Sequence, residues 1–138
     1  MVSLDKKAVL EAIRAAEAGT SGEIRVHMKR GATKDASKEA PSTFLKLGMH
    51  RTKLRNGVLI FVSEKSRQFA IVGDKGIHQR VGASFWEAVR DRMLSYFAKD
   101  ELQQGIVEGV RSAGEQLKKH FPLEKNDKNE LRDEVTTS

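Results

Sequence analysis

Two strongly apolar runs stand near the middle of the chain, and polar residues separate them. The first run is Gly57–Val62 and the second is Phe69–Gly73, with six residues, 63–68, between them. Turn-forming residues flank both runs, with Asn56 before the first and Asp74-Lys75-Gly76 after the second. A gap this short cannot hold a crossover between parallel strands. The pattern therefore predicts a buried, antiparallel β-hairpin.

A third segment, Glu23–Lys29, alternates between polar and apolar residues, which is typical of a strand with one face in water. Such a strand belongs at the side of a sheet, because a central strand beneath helices on both faces is apolar throughout. His27 is then expected on the exposed face. The interval from Lys29 to Gly57 is long enough for a crossover, so this strand is predicted to run parallel to the first strand of the hairpin.

Helical spacing of apolar residues precedes and follows these strands. Ser3 is predicted to cap a first helix that Gly19 ends. After Gly76, two longer helices are predicted from apolar residues that recur every three or four positions. These residues are Phe85, Trp86, Val89, Met93, Tyr96 and Phe97 in one helix, and Leu102, Ile106, Val110, Ala113, Leu117 and Phe121 in the other.

The segment that joins the parallel strands begins with polar residues. Residues 30–41 predict a mobile loop, since they include Gly31 and Pro41 and few apolar side chains. Pro41 suits the first turn of a short helix, from Ser42 to about Gly48.

Together these elements predict an α/β fold, in which a mixed sheet of three to four strands lies between helices in a three-layer α/β/α sandwich. A length of 138 residues suits one domain, and we assign that domain to residues 1–121. Residues 122–138 are highly charged and nearly free of apolar anchors. They predict a disordered C-terminal tail.

Composition narrows the class of protein further. The chain has no cysteine, which excludes disulfides and thiolate zinc sites and suits a reducing compartment. No stretch approaches the roughly 20 apolar residues that a membrane span needs. We therefore expect a cytoplasmic protein without a membrane span.

Basic residues are concentrated in one part of the sequence. The formal net charge is +6, and residues 22–56 carry nine basic and three acidic side chains. A basic surface of this kind attracts phosphates, nucleic acid or anionic membranes. A solvated face of mixed charge is the simpler alternative, because Phe44 is the one aromatic residue among these basic residues.

Three motifs resemble those of the TPM-domain family, which includes thylakoid-lumen acid phosphatases and photosystem II repair factors. They are Thr20-Ser21-Gly22-Glu23-Ile24-Arg25-Val26, Arg55-Asn56-Gly57-Val58-Leu59-Ile60-Phe61, and Phe69-Ala70-Ile71-Val72-Gly73-Asp74-Lys75-Gly76 with Arg67 before it. The resemblance covers roughly residues 5–121 and is strongest to the short soluble bacterial branch. It implies a Rossmann-like α/β/α sandwich, binding of calcium or another divalent metal, and phosphatase activity in some members.

Two positions depart from the family pattern. Many members have Asp-Asn-Gly before the central strand, with a carboxylate that is available to a metal, whereas this chain has Arg55. Many also have an aromatic residue after the glycine of the later turn, where this chain has Asp74. Phosphatase activity therefore does not transfer directly from the resemblance.

The predicted topology brings the three motif ends to one edge of the sheet. Residues 20–23 and 55–57 begin the two parallel strands, and residues 73–76 end the antiparallel one, so all lie at what we call the amino rim. Carboxylate and amide oxygens suit Ca²⁺ or Mg²⁺, while cationic side chains suit a phosphoryl group. The candidate metal ligands are Glu23, Asn56 and Asp74, and the candidate phosphate-binding residues are Arg55 and Lys75.

Two alternatives to a site at the amino rim stay open. The motif residues also serve as ordinary turn residues, with glycine supplying positive φ. In addition, ligands of open α/β sheets usually bind beyond the carboxyl ends of parallel strands. That edge, which we call the carboxyl rim, carries Lys29, Arg30, Ser63, Glu64 and Lys65.

Other motifs give weaker signals. The four histidines, His27, His50, His78 and His120, have no paired spacing, which disfavours a histidine metal site. The Gly-x-x-Gly at residues 73–76 matches the loop of RNA-binding KH domains, but it follows a strand rather than joining two helices. Nucleic acid is therefore a disfavoured partner.

The sequence thus predicts a TPM-like domain that binds a divalent cation, calcium or magnesium, or serves as an interaction module with weak phosphatase activity. One alternative is a metal-dependent phosphomonoesterase, whose catalytic residues the sequence does not identify. The other is a basic surface that binds nucleic acid or another anionic partner. A protein or a phosphorylated ligand is the expected partner, and no organic cofactor is expected.

Overall fold

A computed structural model of the chain describes residues 4–123 and 135–137, and it shows helices packed on both faces of one sheet. The strands are β1 (Glu23–Lys29), β2 (Gly57–Ser63), β3 (Gln68–Gly73) and β4 (Val135–Thr137). The helices are α1 (Lys6–Glu17), α2 (Ala36–Lys46), α3 (Lys75–His78), α4 (Ala83–Phe97) and α5 (Leu102–His120), with a short 3₁₀ helix at Met49–Arg51. No helix within these described ranges has the length and apolar character needed to cross a bilayer.

The sheet has the mixed topology that the sequence predicts. Its strand order is β3-β2-β1-β4. β1 and β2 are parallel along their whole length, and β2 and β3 form the antiparallel hairpin. The fold class, an α/β/α sandwich with a four-stranded mixed sheet, is confirmed.

β4 comes from the segment that the sequence assigns to a disordered tail. Val135–Thr137 pair in parallel with Val26–Met28, so β1 lies between two strands instead of at the side of the sheet. The prediction of a lateral β1 is therefore wrong. The rest of the predicted tail from residue 124, and the predicted cap Ser3, lie outside the described residues.

The larger core lies between one face of the sheet and helices α1, α4 and α5. The buried sheet residues of this core are Ile24, Val26, Val58, Ile60 and Val62, and each is at most 2% exposed. Helix residues that the sequence patterns predicted complete this core, including Val9, Ile13, Phe85, Val89, Met93, Ile106, Val110 and Leu117.

The smaller core lies on the opposite face, where α2 covers β2. Leu59 and Phe61 pack there against Ala36, Ala40 and Phe44. α2 begins well before Pro41, so the predicted loop over residues 30–41 is wrong for its second half. Asp35 caps the helix by accepting a hydrogen bond from the Ser37 backbone N–H at 3.0 Å, and the four-residue spacing of its apolar side chains buries one helical stripe despite the proline.

The polar face of β1 is buried, contrary to the alternation pattern. Glu23, Arg25 and His27 are 4%, 6% and 5% exposed. Arg25 reaches the carbonyl of Leu47 at 3.5 Å, and the His27 ring stacks on Phe61 with a centroid separation of 5.7 Å. Because α2 and the chain after it cover this face, polar residues are enclosed there instead of being solvated.

Candidate functional site

The three motif ends meet at the amino rim, as the topology requires. Asn56 links two of them: its carbonyl accepts from the Glu23 backbone N–H at 3.4 Å, and its side-chain Nδ2 donates to Ser21 Oγ at 3.3 Å. The Asp74 backbone N–H donates to the Gly57 carbonyl at 3.0 Å, and this bond attaches the third motif end to the second. Asn56 is 1% exposed, so the residue that joins these turns is buried between them.

An ion pair between Arg55 and Asp74 dominates the surface of this rim. Arg55 Nε lies 2.7 Å from Asp74 Oδ2, and its Nη2 lies 2.9 Å from Oδ1. This two-pronged contact matches the planar guanidinium to the planar carboxylate. The hydrogen bonds from Arg55 to Asp74 raise the pKa of the guanidinium. Two residues that the sequence predicts as separate phosphate and metal contacts therefore bind each other.

Asp74 has a second function within the backbone. Its Oδ1 also accepts from the Lys75 backbone N–H at 2.8 Å and caps α3. The side chain is 5% exposed, whereas that of Arg55 is 36% exposed. The carboxylate is thus enclosed, and the guanidinium is the half of the pair that faces solvent.

Gly76 is required by close packing between two turns. A Cβ at this position would lie 2.1 Å from the Leu54 carbonyl oxygen and 2.5 Å from that of Arg55. The Gly76 N–H donates to the Arg55 carbonyl at 2.9 Å. Its φ is not positive, and the left-handed conformation falls instead on Arg55, with φ of 52°. The expectation of glycine for positive φ is wrong here, because close approach of the backbone explains the residue.

The predicted metal ligands do not fit a divalent cation as the structure arranges them. Both oxygens of Asp74 are engaged by Arg55, Asn56 is 1% exposed and Glu23 is 4% exposed. A cation that reached Asp74 would have to displace the guanidinium. Within residues 4–123 and 135–137, no three His, Asp or Glu side chains lie close enough to hold a metal ion together.

Exposed basic side chains surround the ion pair and form what we call the basic surface: Arg51, Lys53, Arg55, Lys75 and Arg80. Four of them are exposed and Arg55 is half-buried. Residues 40–63 and 75–86, which supply this surface, contain no aspartate or glutamate. The sequence analysis proposed Arg55 and Lys75 as phosphate contacts and included Arg51 and Lys53 in its basic segment, but it did not include Arg80, whose position depends on the end of α5.

Arg80 is held in place at the edge of the basic surface. Its Nη1 donates to the His120 carbonyl at 3.1 Å, and its guanidinium lies 4.9 Å from the centroid of the Phe121 ring. The carbonyl belongs to the last turn of α5, where the helix dipole favours a cation. The end of α5 therefore orients one of the charges of this surface.

The carboxyl rim, the second predicted location, contains a small cavity of about 160 Å³. Val62, Phe69, Phe97 and Leu102 supply apolar lining, and the Phe69 and Phe97 rings meet edge-to-face at 5.1 Å. Ser63 also lines it, but Ser63 is fully buried and its hydroxyl donates to the Gly31 carbonyl at 2.9 Å. Glu64 also lines the cavity, whereas Lys29 forms an ion pair with Glu39 and Arg30 is exposed.

The fold and the rim together define the class of protein. The chain is a small α/β/α domain that carries a half-buried ion pair and a basic surface at one rim of its sheet. The family model of the TPM domain matches residues 2–116, so the chain belongs to the TPM-domain family, as the motifs predicted. No curated protein matches the chain.

Solved structures support this assignment. The BA42 protein from the psychrophilic bacterium Bizionia argentinensis, solved by NMR, is 41% identical to this chain with a TM-score of 0.90, over 96% of this chain and 92% of its own. The N-terminal domain of cg2496 from Corynebacterium glutamicum shares 12% identity with a TM-score of 0.64, over 94% and 75% of the two chains. The N-terminal domain of a protein from P. gingivalis shares 17% identity with a TM-score of 0.63, over 83% and 76%. The last two likenesses concern the fold alone.

Proposed function

We propose that this TPM domain is a binding module whose basic surface holds a phosphorylated or acidic segment of a partner protein. The observation that carries the proposal is the Arg55–Asp74 ion pair, because it neutralises the carboxylate at the centre of the rim. The exposed side chains of Arg51 and Lys75 add positive charge beside it. A field of one sign on an open surface attracts an anionic partner and speeds its association.

The arrangement favours a phosphate or carboxylate group of a ligand over a metal ion. Arg55 keeps 36% of its side chain exposed while Asp74 fixes its plane, so the guanidinium is oriented before any ligand arrives. Lys75 follows Asp74 directly, and it supplies a second charge on a flexible stem. Four of the five side chains of the basic surface are exposed, which suits a segment of a protein better than an enclosed small metabolite.

A divalent-cation site is the alternative, together with the phosphatase activity that would depend on the metal. It requires the Arg55 guanidinium to leave Asp74 and the amide of Asn56 to become accessible. In the structure Arg55 contacts both Asp74 oxygens, and Asn56 is 1% exposed, so neither condition is met. Metal dependence therefore enters the experiment as the competing outcome.

The binding proposal is tested by fluorescence anisotropy with a labelled peptide that carries three phosphoserines among glutamates. Replacing Arg51→Glu together with Lys75→Glu should weaken binding at least tenfold, because it reverses two charges of the basic surface. The matched control is Lys6→Glu with Lys7→Glu, which changes net charge equally on exposed positions of α1. The control should change affinity less than about threefold, and raised salt should weaken binding of the parent chain.

Three results would overturn the proposal. Equal loss in both charge-reversed variants would show attraction by net charge alone. Tighter binding of a DNA duplex of matched charge would favour the nucleic-acid alternative. Turnover of p-nitrophenyl phosphate that requires calcium or magnesium, and that Asp74→Asn abolishes, would favour the phosphatase.

A further inference from the structure

Among the residues that the structure describes, the outer edge of β1 is only partly paired, and the strand that pairs with it comes from the far end of the chain. β2 matches all seven residues of β1 on one side, from Glu23 to Lys29. On the other side β4 matches three, with Val26 opposite Val135 and Met28 opposite Thr137. β4 rests mainly on β1 and makes a lighter contact with α1, and its three residues are all half-buried.

Toward the start of β1, a side chain and not a strand satisfies a backbone donor of this edge. The Ile24 backbone N–H, which lies toward the start of β1, donates to Glu17 Oε2 at 2.7 Å. A side chain therefore closes the edge there, and strand addition is confined to the stretch that β4 occupies. Because successive residues of a strand direct their backbone groups to opposite sides, Val26 and Met28 face this edge with Ile24.

Side chains define which segment fits the edge. The Thr136 hydroxyl lies 2.7 Å from His27 Nδ1 and 3.4 Å from the Val26 carbonyl oxygen, so a hydroxyl residue meets both a ring nitrogen and the strand backbone. Val135 packs against the larger core beside it. A β-branched apolar residue followed by threonine thus matches the edge in both side chain and backbone.

The length of chain before β4 exceeds the distance that it must cover. Pro122 pairs with Thr20, and Val135 pairs with Val26. The distance from Pro122 to Val135 is therefore about that from Thr20 to Val26, which is six residues or roughly 20 Å of extended chain. The thirteen steps from residue 122 to 135 span up to about 43 Å when extended. The reach is about twice what docking needs, so β4 can leave and return while α5 stays in place.

We propose that the outer edge of β1 is an acceptor site for an extended peptide and that β4 is its tethered occupant. The site takes, in place of β4, an extended segment of a partner protein that presents a β-branched residue followed by threonine or serine. Main-chain pairing with Val26 and Met28 supplies the affinity, and His27 reads the hydroxyl. This site is separate from the basic surface, so either proposal can fail without the other.

The test supplies the segment in trans to the full-length chain. The probe is a fluorescein-labelled nine-residue peptide with the sequence of residues 130–138, ELRDEVTTS. In the recipient, Val135→Asp and Thr136→Pro remove the apolar contact and a backbone donor from β4. This double variant should bind the peptide, with amide shifts at residues 26–28, and the parent chain should bind at least tenfold more weakly because its own β4 competes.

Two controls distinguish sequence-specific recognition from non-specific binding and from misfolding of the variant. A scrambled peptide of the same composition should not bind. Equal binding of the two peptides would overturn the proposal, and so would a failure of the double variant to bind the native peptide.

Amide hydrogen exchange of the parent chain tests the same edge without any substitution. The Val26 and Met28 amides should exchange at least tenfold faster than those of Arg25 and His27, which face β2. Equal protection would show that β4 does not open, and that result would overturn the proposal.

Discussion

Arg55 and Asp74 show how two neighbouring turns become one feature of the surface. The residues are nineteen positions apart, and the backbone bonds from Gly76 to Arg55 and from Asp74 to Gly57 bring them together. Arg55 adopts the left-handed conformation at φ of 52°, which is unfavourable for a residue with a Cβ. The bidentate contact with Asp74 offsets this strain, since it forms only when the turn places the guanidinium over the carboxylate.

Replacing Arg55→Ala should lower the thermal midpoint by roughly 5 °C, because the enclosed Asp74 carboxylate loses its counter-charge while the strained backbone remains. Arg55→Lys should recover only part of this loss, since an ammonium cannot make both contacts. Calorimetry of the two variants measures the effect, with Arg51→Ala as the exposed neighbouring control. A midpoint for Arg55→Ala within 1 °C of the control would show that the pair adds nothing to stability.

Sequence reasoning identified the residues of this rim but not their contacts. The motifs and the parallel arrangement of β1 and β2 sufficed to bring residues 20–23, 55–57 and 73–76 together. The roles of Arg55 and Asp74 depend on side-chain geometry across two turns, which no local pattern encodes. The same holds for Arg80, whose position depends on the end of α5 some forty residues later.

At the scale of elements, β1 departs most from its sequence pattern. Perfect alternation predicted a half-exposed strand, but α2 covers its polar face and β4 covers its outer edge. The burial of Arg25 and His27 follows from the start of α2 at Ala36, ahead of the proline that was expected to begin it. Propensity places Pro41 in a first turn, yet burial of Ala36, Ala40 and Phe44 outweighs that preference.

The enclosure of His27 predicts that stability depends on pH. Burial lowers the pKa of His27 below its ordinary value of 6.5, opposed by the nearby Glu39 carboxylate on α2 and assisted by Lys29 on its own strand. The unfolded chain therefore takes up the proton first as the pH falls, and the folded state loses stability. The loss should begin below pH 6.5 and level off once the pH has passed the lowered pKa.

Urea unfolding between pH 7.5 and pH 5 measures this dependence. His27→Gln, which keeps a polar side chain that cannot be protonated, should show a smaller decrease in unfolding free energy over the same range than the parent chain. An identical decrease in the two proteins would assign the pH dependence to other groups. His78, which is exposed, supplies the control through His78→Gln.

At the scale of the whole molecule, the two rims of the sheet differ in character. The amino rim is basic and crossed by backbone hydrogen bonds between turns, whereas the carboxyl rim contains a cavity of about 160 Å³ that Phe69 and Phe97 help to line. The fold class, the parallel pairing and the family followed from periodicity, connection length and motifs, because each of these features is contained in a continuous stretch of sequence. The contribution of Arg80 to the charge of the amino rim did not, because that rim combines residues from two segments, 51–55 and 75–80, and Arg80 is positioned by the end of α5.

The central claim is that the amino rim binds an anionic segment and not a metal ion, and backbone amide shifts test it most directly. The ¹⁵N-labelled chain is titrated separately with the phosphoserine peptide and with calcium chloride to millimolar concentration. We expect the peptide to shift the amides of residues 51–55 and 75–80, and we expect calcium to leave the amides of residues 20–23, 55–57 and 73–76 unchanged. Saturable calcium shifts in those three turns, with none from the peptide, would contradict it.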